Sequence, residues 1–222
     1  MTTTTTPEEK TEDKIREGYL TYVLEHDEAP GSAYKLCKFI DLPEEEFYQH
    51  YTTVDAIEND VWKGFFEATV TRIEQDEVYG SYTVREKLLA FYFTWIEELK
   101  AKRSFILTVY NAKKHRGLRP QDFKVFKEFK QAFQEYCHML VNEGLESGEI
   151  VERPYVTTQY AKALWVQALT ILKFWIKDTS KGFEKTDTFI EKSANLGFDM
   201  MGHTPLDSAL DFMKFAFQSR MK

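Results

Sequence analysis

Cysteine, proline and glycine are all scarce in this chain. Cys37 and Cys137 are the only two thiols in 222 residues, too few for the disulfide framework of a small secreted domain, so a reduced, cytoplasmic protein is expected. Six prolines and ten glycines cannot supply the closely spaced turns of an all-β chain. No apolar run approaches the ~20 residues needed to span a bilayer, and none reads as a signal peptide. There is no Gly-rich phosphate loop, no Gly-x-Ser-x-Gly elbow, no His-Glu-x-x-His and no Cys-x-x-Cys, which removes the common catalytic and zinc signatures. The expectation is a non-enzyme without a cofactor. No period of about 20 to 50 residues repeats, which argues against a solenoid.

Apolar material, by contrast, is plentiful: 43% of the residues are hydrophobic and 15% aromatic, enough to build one sizeable core or two small ones. These residues recur at helical spacing. Ile15, Tyr19, Tyr22 and Val23 predict a helix over 12–26, which ends in the turn-prone run Asp27 to Gly31. Ser32 can cap a short helix carrying Leu36, Phe39 and Ile40, and Pro43 suits the first turn of another, because its missing N–H has no partner there anyway. Thr53 can cap a fourth with Ile57, Val61, Phe65 and Ile73. Longer helices follow at about 83–101, 103–115, 120–146, 157–178, 182–200 and 205–219. The fold class expected is all-α, with a frayed polar tail over 1–11.

Charge is distributed unevenly. Residues 1–75 hold 17 acidic and 7 basic side chains, a balance of −10, and the remainder is +3. Most of that excess lies between Lys100 and Lys130, where ten basic residues face only Asp122 and Glu128. The reading preferred for this stretch is an internal electrostatic contact with the acidic N-terminal region.

The run Asp41-Leu42-Pro43-Glu44-Glu45-Glu46-Phe47-Tyr48-Gln49-His50-Tyr51-Thr52-Thr53-Val54-Asp55-Ala56-Ile57 resembles the recognition-helix signature of TetR-family bacterial regulators. Phe47, Tyr48, His50, Tyr51, Asp55 and Ile57 fit that pattern without a gap, and the two upstream helices lie at the expected distances. In a helix-turn-helix, Leu36, Phe39, Leu42 and Phe47 would seal a three-helix core while the third helix turns its outer face to a major groove. The resemblance implies DNA-binding positions at Ser32, Lys35, Glu44, Glu45, Phe47, Tyr48 and His50, with Tyr48 and His50 on phosphate. It departs where the family has Gly, Ser, Gly and Lys and this chain has Asp41, Pro43, Glu45 and Val54. Three successive glutamates on the reading helix of a domain at −10 oppose phosphate binding, although they favour the positive end of the helix dipole.

Beyond the helix-turn-helix, Glu135 and His138 have the Glu-x-x-His spacing of a di-iron bundle, but no second such pair accompanies them. The aromatic supply is mostly core. In TetR-like regulators the effector lies between these helices, which implies Tyr92, Trp95, Tyr110, Tyr136, His138 and Trp165 as pocket lining. The helix with Trp165, Leu169 and Leu172 is apolar around much of its circumference, and the family implies a homodimer through this helix and a later one. The terminal stripe Leu206, Leu210, Met213 and Phe217 is similar to that of the TetR-fold lipid-binding protein of ubiquinone biosynthesis, which has abandoned DNA.

Three segments are therefore expected: the tail over 1–11, a helix-turn-helix domain over 12–56 and a helical regulatory and dimerisation domain over 57–222. The implied function is a transcriptional regulator that binds DNA under control of an apolar or amphipathic small molecule, coupled through the helix from Val54 to Gln75. The alternative is a TetR-fold protein that has lost operator binding and serves as a binder of lipid or hydrophobic metabolites, or as a protein-interaction module.

Overall fold

In the computed structural model, which describes residues 7–115 and 124–202, the described residues are all-α. The helices run α1 Pro7–His26, α2 Ala33–Ile40, α3 Glu44–His50, α4 Val54–Glu74, α5 Val84–Ala101, α6 Arg103–His115, α7 Lys127–Ser147, α8 Tyr160–Lys177 and α9 Glu184–Met201. The segment carrying Pro120 and Phe123 and the helix expected over 205–219, with Leu206, Leu210, Met213 and Phe217, lie outside the described residues.

The capping residues explain most boundaries. The Ser32 side chain accepts from Lys35 N at 3.3 Å, and Thr53 Oγ1 accepts from Ala56 N at 3.2 Å. Thr83 and Glu86 form a reciprocal capping box at the start of α5: Glu86 Oε2 accepts from Thr83 N at 2.8 Å, and Thr83 Oγ1 accepts from Glu86 N at 3.2 Å. Pro43 takes the N-cap position of α3, one residue before the turn expected for it. α1 begins at Pro7 rather than Glu12, so residues 7–11 are helical instead of part of a frayed tail. Proline suits a first helical position, and the polar run after it needs no apolar face to continue a helix already anchored downstream.

Contacts group the chain into two units, Met1–Val70 with Glu97–Ala132, and Thr71–Ile96 with Phe133–Lys222. α6 thus belongs with the N-terminal helices, and α4, α5 and α7 each contribute to both units. The first unit is built on Ile15, Tyr19, Leu36, Phe47, Ile57 and Phe105, all at most 1% exposed. α1 and α2 approach closely at Gly18, where a Cβ would stand 2.2 Å from Ile40 Cγ2. Phe39 does not enter this core. It is 36% exposed and lies edge-on to Tyr22 and His26, and the thiol of Cys37 fills the buried position beside Leu36.

The second unit is centred on Phe91, Tyr92, Trp95, Phe133, Ile171 and Trp175. Two polar devices hold its last helix. At its C-terminal end Arg153 donates to the carbonyls of Met200, Met201 and Gly202, which an α-helix leaves without partners. Before its N-terminus Asp178, only 6% exposed, accepts from Thr186 N at 2.9 Å and Thr186 Oγ1 at 2.6 Å through one oxygen, and from the Ser180 N–H and hydroxyl through the other. Burial pushes the Asp178 carboxyl up, but these four donors outweigh it and bring the pKa down to about 2. A carboxyl depressed in the folded state contributes stability above its unfolded pKa and loses it as pH falls through the folded value. Asp178→Ala is expected to cost about 1 to 2 kcal/mol at neutral pH. Its deficit against the wild type should shrink between pH 4 and pH 2, read by urea unfolding followed by circular dichroism.

Candidate functional site

The α2–α3 pair is a helix-turn-helix with its inner side fixed and its outer side free. α2 ends at Asp41, whose backbone is left-handed at φ 49°; the position that is glycine in the resembled signature is here an aspartate, one of the few side chains that tolerate this conformation. Lys14 donates to the Asp41 carbonyl at 3.0 Å and ties the turn to α1. Phe47 is fully buried, so it anchors α3 to the core and cannot touch DNA, against its place among the expected contacts. Ser32, Lys35, Glu44 and Glu45 are exposed, and Tyr48 is 54% exposed.

Other residues of the signature are held inward. His50 Nδ1 lies 3.3 Å from Glu12 Oε1, and its side chain is only 9% exposed. Glu46 accepts from Thr11 Oγ1 at 3.1 Å. Tyr51 donates to Asp60 at 2.5 Å, and Asp60 also takes Arg16 at 2.9 Å, which joins the end of α3 to α1 and α4. Burial, the hydrogen bond to Asp60 and the charge of Asp60 push the Tyr51 phenol well above its ordinary value, so it remains a donor at neutral pH. The free outer surface therefore offers Lys35, Lys38 and Tyr48 together with Glu44 and Glu45.

The aromatic residues divide between the two units. Tyr92, Trp95, Tyr136 and Trp165 are all buried in the second unit, whereas Tyr110 belongs to the first, and His138 is exposed on α7 with Glu135. His138 is therefore no part of the buried cluster: α7 turns Phe133, Tyr136, Cys137 and Leu140 inward, and the positions between them face solvent. Phe133 is the hub, with ring centroids 5.1 Å from Phe91, 6.3 Å from Tyr92 and 6.0 Å from Trp165. Polar tips border it. Tyr92 donates to Gln167 Oε1 at 3.0 Å, and the hydroxyls of Tyr136 and Tyr79 are 2.8 Å apart. Burial pushes the Tyr92 and Tyr136 phenols well up, so both stay neutral. Lys87, 9% exposed, reaches Glu143 at 2.5 Å beside this group, and nothing in the spacing of residues 56 apart announces that pair. Among the described residues no group of three or more His, Cys, Asp and Glu side chains is placed to hold a metal ion.

With this geometry in view, residues 87–216 match the family model described as "Tetracyclin repressor-like, C-terminal domain", more than half of the chain. The chain belongs to the TetR family. No curated protein is matched. Solved TetR-family structures share the fold at low identity. A transcriptional regulator from Syntrophomonas wolfei superposes with a TM-score of 0.67 at 14% identity, covering 85% of this chain and 95% of that one. The regulator from Nitrosomonas europaea gives 0.60 at 11%, covering 84% and 97%. The fatty acid degradation regulator FadR from Bacillus halodurans gives 0.58 at 14%, covering 87% and 97%. The family match covers α6 to α9 and all but the first three residues of α5, whereas the helix-turn-helix is carried by its own residues and by the shared fold.

The basic stretch of this TetR-family chain does meet the acidic N-terminal helices. Lys102 lies 3.4 Å from Glu17, and Lys113 on α6 donates to Glu58 on α4. The two pairs differ in weight. Lys102 and Glu17 are 40% and 66% exposed, so their attraction is small and screened by salt, whereas Glu58 and Lys113 are 6% and 15% exposed and are screened far less. Lys113→Ala should strand a buried carboxylate and cost about 3 kcal/mol. Lys102→Ala should change stability by less than about 1 kcal/mol. Thermal unfolding of the two variants at low and high salt checks the ranking, and the larger loss should persist in salt.

Among the described residues no helix is long and apolar enough to cross a membrane.

Proposed function

We propose that the protein is a transcriptional regulator of the TetR type, in which the α2–α3 helix-turn-helix binds DNA and the second unit binds an apolar or amphipathic effector and forms a homodimer. The observation that carries the reading is the helix-turn-helix itself: Phe47 and Leu36 seal it, Asp41 makes its turn, and the outer residues of α3 are free. The effector reading draws its support from the aromatic cluster at Phe133, which Tyr92, Gln167 and Tyr136 border with polar groups. The coupling element is α4, which starts beside the helix-turn-helix and contributes residues to both units.

One observation favours the alternative, a TetR-fold binder of lipids or hydrophobic metabolites that has left DNA. Glu44 and Glu45 are exposed on the reading face while His50 is held by Glu12. Direct binding to DNA fragments from around the coding region and to a random pool, at low and physiological salt, separates the two. A regulator should retain selected fragments with an affinity that falls steeply with salt. The triple change Glu44→Ser, Glu45→Lys and Glu46→Gly should raise non-specific affinity by about tenfold or more at low salt, because each added or unmasked cation releases counterions. A helix-turn-helix without DNA function gives no retention in either form.

The homodimer has its own observation. The packed pair α8 and α9 leaves Val166, Leu196 and Met200 61%, 63% and 67% exposed, and this apolar area supports a surface that a second copy covers. Val166→Glu combined with Leu196→Glu should convert the dimer to monomer in sedimentation velocity without loss of helical circular dichroism.

A further inference from the structure

A cavity of about 340 Å³ lies within the first unit, between α1, α4 and α6. Its volume is at the lower end of small-molecule sites, about 300 to 1,000 Å³. It is separate from the aromatic hub, every residue of which belongs to the second unit. Its body is apolar, formed by Val23, Val109, Ala112 and the ring of Tyr19. Its polar groups are Glu58 and Lys113 within and the exposed carboxylates of Asp27 and Glu28 at the turn that follows α1. Three negative groups against one positive make the field of the cavity favour a cation.

The buried pair says which kind of cation. Glu58 is 5% exposed and holds two donors, the Lys113 ammonium and, at 3.4 Å, the Tyr19 hydroxyl. A lysine side chain is an ammonium on a flexible four-carbon stem, so Lys113 is itself a primary alkylamine seated on Glu58 with its stem along the cavity wall. An external amine of the same chemistry offers Glu58 an equivalent charge-assisted hydrogen bond, and the displaced lysine, already 15% exposed, can carry its charge to water. An anion would face the net negative wall, and a neutral alcohol that displaced Lys113 would leave the carboxylate without a cation.

We infer that this cavity is a second small-molecule site, specific for a primary amine with a short apolar body, in which Lys113 acts as an internal competitor for Glu58. Its position below the α1–α2 turn puts the ligand against the helix-turn-helix scaffold. The inference does not depend on the effector reading above, because the residues and the readout are different.

The test uses the full-length protein with hexylamine as probe, hexanol as its neutral counterpart and sodium chloride at matched ionic strength. Hexylamine should raise the unfolding temperature saturably and give a binding isotherm in calorimetry, and neither control should do so. Glu58→Gln should weaken hexylamine at least tenfold. Lys113→Ala should bind it about tenfold more tightly and recover with it part of the lost stability. Equal effects of amine and alcohol on the wild type overturn the inference, as does a hexylamine response undiminished in Glu58→Gln. Rescue confined to Lys113→Ala, with no binding by the wild type, also overturns it. If Lys113→Ala does not fold, the wild-type and Glu58→Gln titrations decide.

Discussion

A carboxylate at 5% exposure survives only if its charge is met, and Glu58 meets it with Lys113 from a helix 55 residues further along the chain. The consequence is topological. Because α4 is bound to α6 through this pair and α1 reaches the same carboxylate through Tyr19, the three helices behave as one body, and α6 groups with the N-terminal helices rather than with the helices that follow it. Removing Lys113 leaves the Glu58 carboxylate buried and unmet, whereas Lys113, 15% exposed, can turn its charge to water, so the two losses are unequal. Tyr19 reinforces the pair: burial first, and then the charge of Glu58, hold its phenol protonated, so its hydrogen bond does not titrate near neutral pH.

The same polarity governs what the outer face of α3 can do. The excess of ten negative charges over residues 1–75 is offset in part inside the fold, by Lys113 on Glu58 and, more weakly, by Lys102 on Glu17. None of these offsets lies on Glu44 or Glu45, which keep their full field in solvent. Phosphate binding is mainly a matter of cations released from DNA, and among the described residues of this face Lys35 and Lys38 are the ones available to release them. The family fold and the charge of this face thus pull in different directions, and the choice between them is electrostatic rather than architectural.

Much of the fold is legible in the sequence because helix ends are written locally. Ser32, Thr53 and Thr83 with Glu86 are short-range signals, and the boundaries they imply agree with the structure to within a residue or two. α1 and α7 are exceptions: no apolar period marks residues 7–11, and α7 begins at Lys127 where a helix from 120 was expected. Faces are less legible than ends. Phe39 and His138 sit on helices whose apolar residues spread over more than half of the circumference, and spacing alone does not say which half turns inward. The partners of buried charge are the least legible of all. Lys87 with Glu143, Lys113 with Glu58 and Arg153 with the end of α9 depend on contacts far apart in sequence.

The second unit resolves a related ambiguity about its aromatic residues. Rings at 5 to 6 Å from Phe133 fill the centre of the unit, which is what a stable core requires. A buried phenol differs from leucine or isoleucine in bringing a hydroxyl that must be satisfied. Tyr92, Tyr136 and Tyr79 each carry a hydroxyl into this region, and each is provided with a partner: Gln167, the other tyrosine, or the carbonyl of Lys87. Paired in this way, the phenols cost little to bury. Val166, Leu196 and Met200 on α8 and α9 stand outside this filled centre and stay exposed, so they are apolar area that a second surface can still bury.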